Sequence, residues 1–288
     1  MKVIYDRDVN AYFSSMTGPV VISVLLCFLG IYFMGVNMDS GYPYFSYVLV
    51  KVRLIYVLVI PILTMRSFAE ERHTKTDQYW MTAPVSVAEV VLGKFLAMAT
   101  VLAVPLMICC LCPMIIRLSG TAYLATDYLA ILVFFLWGCV YIAIGMFISS
   151  LTESQIIAAI GTFAVVFLLH MWNSLVIYLP KTALGSLGGM LVVLLLLCAA
   201  LEAYSHSWGL SGGVFGVGAC AFLCVFWLDS SLFAGLLPGL MERLGLYTVF
   251  KNFAFYMVFD WSGLVLYLSL IALMIYLTVQ VIEKRRWD

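Results

Sequence analysis

The chain has 288 residues, of which 65% are hydrophobic and 10% charged, with a mean hydropathy of +1.09. A soluble domain carries about 25% charged residues, so this composition excludes a soluble globular protein and a disordered chain. Basic and acidic residues balance at 15 each, which leaves no bulk charge to attract nucleic acid.

At about 20 residues per span, residues 1–288 read as one all-α, polytopic membrane bundle. A cytoplasmic N-terminal segment, 1–17, leads into the first charge-free run, 9–38. That run lacks a small-x-small cleavage site near Asn37 and reads as an uncleaved anchor. Tyr44 to Met65 is apolar but interrupted by Lys51 and Arg53, and it spans if both side chains snorkel to one interface. Further charge-free runs follow at 95–116, 128–152, 154–180, 182–201, 203–228 and 261–282. Together these predict eight spans, with six as the fallback. The stretch 182–228 carries Gly209, Gly212, Gly213, Gly216 and Gly218. It is either two thin spans or a re-entrant hairpin. Residues 230–260 are broken by Pro238, Gly239 and Gly245, and form an outer-face segment rather than a span.

Basic residues set the orientation. Lys2, Arg7, Arg66, Arg72, Lys75, Lys94, Lys284, Arg285 and Arg286 fall on one side, and Arg117, Lys181, Arg243 and Lys251 on the other. The positive-inside rule places both termini in the cytoplasm. All eight cysteines (27, 109, 110, 112, 139, 198, 220 and 224) lie in apolar runs and read as small apolar side chains.

The polar chemistry concentrates in a cytoplasmic segment, 66–90. Ser67 with Glu70 has the spacing of a capping box that starts a helix. The helix turns aromatic at Tyr79 and Trp80, side chains suited to the headgroup level, and ends before Pro84. Ser86 with Glu89 is a second capping box, opening the helix of the next span. Thr152 with Gln155 is a third. A short interfacial helix between two spans can carry a push from a soluble partner into both.

This stretch resembles the signature of permease subunits of type-2 ABC exporters, especially the gliding-motility and copper-enzyme-maturation branches. Phe68, Glu71, Arg72, Thr76, Ala83, Pro84, Val85, Ser86, Gly93 and Lys94 match that pattern in register. Lys75 stands where the family has glycine, which argues against a positive-φ turn there, and Asp77 stands where an apolar residue is usual. The turn Ser150–Ala159 and the ending Glu283–Trp287 are weaker echoes. The similarity covers 60–160 and 262–288 and hardly touches 180–260, so 182–228 reads as a two-span insertion in a six-span family.

The resemblance implies a multi-pass permease subunit in a bacterial plasma membrane, embedded in the lipid bilayer. It implies a separate ABC ATPase as partner and a homodimer or heterodimer with a second permease. Arg66, Phe68, Glu70, Glu71, Arg72, Thr76, Pro84 and Ser86 would couple the ATPase. Residues 67–83 would enter a groove on it, with Glu70, Glu71 and Arg72 as rim charges. The chain has no G-x-x-x-x-G-K-[ST] motif, since Gly93-Lys94 is followed by Phe95 and lacks the upstream glycine. ATP therefore belongs to the partner, and no cofactor or metal to this chain.

Two other readings stand beside this one. An intramembrane enzyme would use His170, with Asn173 about one turn on, but no second base accompanies it. Glu202 and His206 share a helix face, yet two ligands are too few for a metal. A secondary, ion-coupled transporter would need mid-membrane acids, whereas Asp127, Glu153, Asp229 and Asp260 fall at span ends. Lys51, Arg53, His170 and Asn173 are a candidate substrate path.

Overall fold

Breaks in the apolar pattern set the helix ends in the computed structural model, which describes the backbone of residues 1–82, 85–180, 182–205, 216–217, 220, 226–227, 233 and 235–287. The described residues divide into two compact units, Met1–His170 with Val249–Asp288, and Met171–Thr248.

The first unit opens with α1 (Lys2–Ser14), separated from α2 (Thr17–Phe33) by the extended Ser15. The Ser15 hydroxyl accepts from or donates to Thr17 Oγ1 at 2.6 Å and donates to the Tyr12 carbonyl. Residues 9–14 therefore belong to a separate helix, and the first span begins at Thr17 instead of residue 9. A π-helical turn, Met34–Asp39, completes that span. Asn37 donates from Nδ2 to the Tyr42 and Tyr44 carbonyls, closing the following loop.

The interrupted block forms two helices, α3 (Ser46–Val52) and α4 (Ile55–Thr64). The helical path bends by 66° between them, and Arg53 sits at the break. A single straight span with snorkelling cations is therefore not what forms. Next come two short helices, α5 (Ala69–His73) and α6 (Asp77–Thr82), then α7 (Val87–Cys109) and α8 (Leu111–Ser119). α9 (Leu124–Leu151) is 28 residues long, and α10 (Gln155–Ile177) runs on from it. Among the described residues, five helical segments are long and apolar enough to cross a membrane, and six if the bent pair counts as one span. Of the two further spans expected in 182–228, the first falls on the helix Ala183–Ser205, and the second, 203–228, lies largely outside the described residues, as do most of the glycines in that stretch, Pro84, His206 and the Glu202 side chain.

The core of the first unit gathers around α9. Trp137, Tyr141 and Phe134 are fully buried, and Tyr56 of α4 stacks on Phe134 with ring centroids 4.3 Å apart. The Tyr56 hydroxyl donates to the Phe134 carbonyl at 3.1 Å. Gly138 makes this approach possible, because a Cβ there would meet Tyr56 ring and hydroxyl atoms at 3.2 Å and collide with Leu102. One turn-pair later, Gly145 admits Thr64 and Thr162 in the same way. Small residues that let helix backbones close up are the usual means of span association, since lipid tails leave little hydrophobic drive between helices.

The last elements are α11 (Ala183–Ser205), α12 (Leu236–Arg243), α13 (Leu246–Ala254) and α14 (Trp261–Trp287). α13 buries Phe250 against Phe134 and Trp137. Within the second unit, Gly189 of α11 lies against Leu237 of α12, and Trp172 Nε1 donates to the Met241 carbonyl at 2.7 Å.

The first unit has two chemically distinct ends. One gathers α1, residues 66–82, the turn at 150–154 and Arg285, whose Nη2 lies 3.5 Å from the Leu151 carbonyl. The other gathers residues 37–46, 123–127 and 254–263. There the Ser46 N–H donates to buried Asp127 and its hydroxyl donates to the Ala254 carbonyl.

Candidate functional site

The segment after α4 is held at its base from three directions. Ser149 of α9 accepts from the N–H groups of Phe68 and Ala69 at 3.3 and 3.1 Å, and donates to the Met65 carbonyl. These contacts satisfy the first donors of α5. The expected capping box of Ser67 and Glu70 does not form. Ser67 is buried with no partner for its hydroxyl among the described residues, and Glu70 instead takes both donors of Arg66 at 2.6 Å each. Arg66 four residues earlier offers a charged, two-point partner, which is stronger than a cap to a neutral N–H.

Glu71 is the centre of the second contact. Its Oε1 lies 2.8 Å from Lys94 Nζ of α7 and 2.9 Å from Arg7 Nη2 of α1. Its Oε2 accepts from Trp80 Nε1 at 3.0 Å. Trp80 is thus buried against a carboxylate and does not face the headgroup layer. Asp8 of α1 completes the cluster, 3.3 Å from Lys94 and 2.8 Å from Arg7. Burial opposes the charge on Arg7, but Asp8 and then Glu71 outweigh it and hold the guanidinium pKa above its ordinary value. Burial and the nearby Asp8 also raise the Tyr12 hydroxyl, which donates to the Leu63 carbonyl at 3.1 Å. A cleft of about 380 Å³ opens beside this cluster, lined by Arg7, Asp8, Tyr12, Arg66, Ser67, Glu70 and Glu71 among others.

Arg72 makes the third contact. It donates to the carbonyls of Ser150 and Thr152 at 2.7 and 3.2 Å, and its Nη2 lies 3.3 Å from Glu153. Those carbonyls belong to the C-terminal end of α9, where a cation satisfies orphan acceptors and the helix dipole together.

Beyond Arg72 the chain reverses. Lys75 adopts φ +58°, its N–H donates to the Arg72 carbonyl, and the Thr76 N–H donates to the Glu71 carbonyl at 2.8 Å. This 6→1 and 5→2 pair is a Schellman closure with Lys75 at the left-handed position. The expectation against a positive-φ turn at Lys75 is overturned. The two backbone bonds, supported by Thr74 and Thr76 hydroxyls on the Glu70 and Glu71 carbonyls, outweigh the steric cost. The result is a hairpin of α5 and α6 whose tip residues His73, Thr74, Lys75, Thr76 and Gln78 are exposed.

Ser86 caps α7, accepting from the Glu89 N–H at 3.3 Å. At α10 the cap is Ser154, whose hydroxyl accepts from the Ile157 N–H and whose carbonyl accepts from Ala158. Thr152 instead accepts from Ser154 N–H, so the third capping box is displaced by two residues. The chain is still extended at Thr152.

Arg66, Phe68, Glu70, Glu71, Arg72 and Thr76 therefore fall in one neighbourhood, Ser86 caps α7, and Pro84 lies outside the described residues. The charges of Glu70, Glu71 and Arg72 are engaged within the chain. Of the candidate substrate path, Lys51 is exposed on α3 and Arg53 sits at the bend within electrostatic range of His170. His170 is buried, with no partner for Nδ1 among the described residues. Asn173 belongs to the second unit, where its Nδ2 donates to Thr248 Oγ1 at 3.1 Å.

Asp8, Arg7, Lys94 and Ser149 were not legible as site residues. Asp8 and Lys94 each stand as the last charge before an apolar run, so they share a membrane depth and carry opposite signs. That coincidence was the available signal.

A family model described as ABC-2 family transporter protein matches residues 51–187. No curated protein and no solved structure matches the chain. The matched stretch begins at Lys51 near the end of α3, includes α4, the α5–α6 hairpin and the 150–154 turn, and leaves 262–288 outside. An ABC-2 permease domain is a multi-span transport subunit without an ATPase of its own, and such permeases generally pair with an ABC ATPase. Residues 51–187, just under half of the chain, are thus similar to an ABC-2 transporter permease domain, the membrane component of an ABC transporter.

Proposed function

We propose that this chain is the membrane subunit of an ATP-driven exporter in a bacterial plasma membrane, of the gliding-motility and copper-enzyme-maturation type. Both termini face the cytoplasm, and the chain works as a homodimer or a pseudo-symmetric heterodimer with a second permease. The ATPase docks on the α5–α6 hairpin, presented by residues 73–78, while Glu70, Glu71 and Arg72 hold its base. Residues 182–228 are a two-span addition, and 230–260 stay on the outer face.

The observation that carries this reading is the contrast between the hairpin's two ends. Its tip is exposed, whereas its base is bonded to α1 through Arg7, to α7 through Lys94 and to α9 through Ser149 and Arg72. A push on such a tip moves helices that reach across the bundle, because packed elements transmit displacement with little deformation. The gathering of α1, the hairpin and Arg285 at one end supports the shared sidedness of the termini.

The test is affinity purification of the tagged chain in mild detergent, with assay of ATP hydrolysis. A stoichiometric soluble partner bearing a Walker motif, lost when residues 73–78 are replaced by a Gly-Ser linker, is the expected result. A chain that purifies alone, with no ATP hydrolysis at any stage of extraction, overturns it and turns attention to His170 and Glu202.

A further inference from the structure

The buried cation at Lys94 is the least expected feature of this end of the bundle. Its side chain is 5% exposed, placed within an apolar helix, and shared between Asp8 of α1 and Glu71 of α5. The ammonium also lies 5.3 Å from the centroid of the Phe68 ring, at the start of α5. Gly93 beside it lets α1 close in, since a Cβ there would meet Ile4 Cγ2 at 3.2 Å. Tyr5 and Thr100 extend the same contact, their hydroxyls 3.0 Å apart.

Buried ion pairs are poor stabilisers, because desolvation cancels much of the attraction, and their best-attested use is to fix register. An apolar residue at 94 would still pack against α1 but would fix neither the rotation of α1 nor its link to Glu71. Arg7 makes a second link from α1 to Glu71, but it is half in solvent and more strongly screened than the buried ammonium.

We infer that Lys94 is a positioning residue that locks α1 to the coupling hairpin, so that α1 moves with α5 when the ATPase acts. This rests on the hairpin being the docking site. Asp8 holds α1 to the ammonium, Glu71 holds α5 to it, and α7 carries it. The N-terminal helix thereby becomes a moving part of the transport cycle.

The test is hydrogen–deuterium exchange of the full chain in complex with its ATPase, nucleotide-free and trapped with ATP and vanadate. In the parent complex, peptides from 2–14 and from 69–82 both change exchange on trapping. In Lys94→Met and in Asp8→Asn the 69–82 response persists, the 2–14 response is lost, and 2–14 exchanges about tenfold faster, equivalent to about 1.4 kcal/mol. Asp8→Glu restores the 2–14 response, which a general loss of packing would not predict. Asp8→Asn leaves the Lys94–Glu71 pair intact and carries the test if Lys94→Met does not fold. A 2–14 response that survives in Asp8→Asn, or that is missing in the parent while 69–82 responds, overturns this inference alone. A parent complex in which 69–82 ignores nucleotide overturns the docking site as well.

Discussion

Arg72 donates to the Ser150 carbonyl across 2.7 Å, linking the α5–α6 hairpin to the end of α9, the most buried of the five candidate spans among the described residues. The turn at 150–154 contains no basic residue of its own, and Arg72 supplies the cation that its carbonyls need.

Arg72→Ala should lower stability by about 2 kcal/mol, the usual cost of removing a charged donor from buried acceptors. Arg72→Lys keeps the charge but loses the planar fork that reaches both carbonyls and Glu153, so it should fall between the two. Thermal unfolding of the purified chain in detergent checks the order.

Lys75→Gly should raise stability by about 1 kcal/mol, because a left-handed backbone costs a residue with a Cβ about that much. Lys75→Val should lower it, since β-branching makes the same φ worse. If all three melt alike, the Schellman closure at φ +58° is not formed in the membrane.

Gly138→Ala should destabilise by about 1–3 kcal/mol, the range for overpacking a close-packed interior. The added methyl meets the Tyr56 ring and hydroxyl and displaces Leu102. Pairing it with Tyr56→Leu should recover part of the loss, and a double-mutant cycle measures the coupling. Additive losses would place the clash elsewhere.

Asp260 gives a prediction in pH. A hydrogen bond from Ser262, with further help from Asn252 and the Gly263 N–H and against partial burial, holds its carboxyl below the ordinary value of 3.8. A lowered folded-state pKa adds stability that is fully present above 3.8 and is lost as pH falls through the lower, folded value. Asp260→Asn should therefore flatten the acid limb of a stability–pH profile below about pH 4 and leave neutral pH slightly less stable through the weakened cap of α14.

Hydropathy made the spans legible because apolar length is almost sufficient to define a membrane helix. Positions 128–152, 154–180 and 261–282 each correspond to a helix of the fold, and 95–116 to α7 with the first part of α8. The differing details, at Ser67, Thr152 and Lys75, are ones where single-residue propensity loses to hydrogen bonds, long-range at Ser67 and local at Thr152 and Lys75. Ser149 takes over the capping of α5, and Ser154 fits the α10 entrance better than Thr152. The bend at Arg53 was half-visible as an interrupted apolar block, though nothing local distinguishes a snorkelling cation from a broken helix. The base of the hairpin was least legible, because Asp8 and Lys94 are 86 positions apart and each alone looks like a boundary charge.

The turn at Lys75 has one further consequence. Both of its closing bonds, and both hydroxyl contacts that reinforce them, come from residues 70–76 themselves. The loop thus holds its shape without help from any visitor. A flexible loop would surrender about 1–2 kcal/mol of backbone freedom per residue on being captured, and this one has already surrendered it during folding. Recognition of such a pre-shaped plug can be fast and reversible, as the proposed docking of an ATPase on it would require.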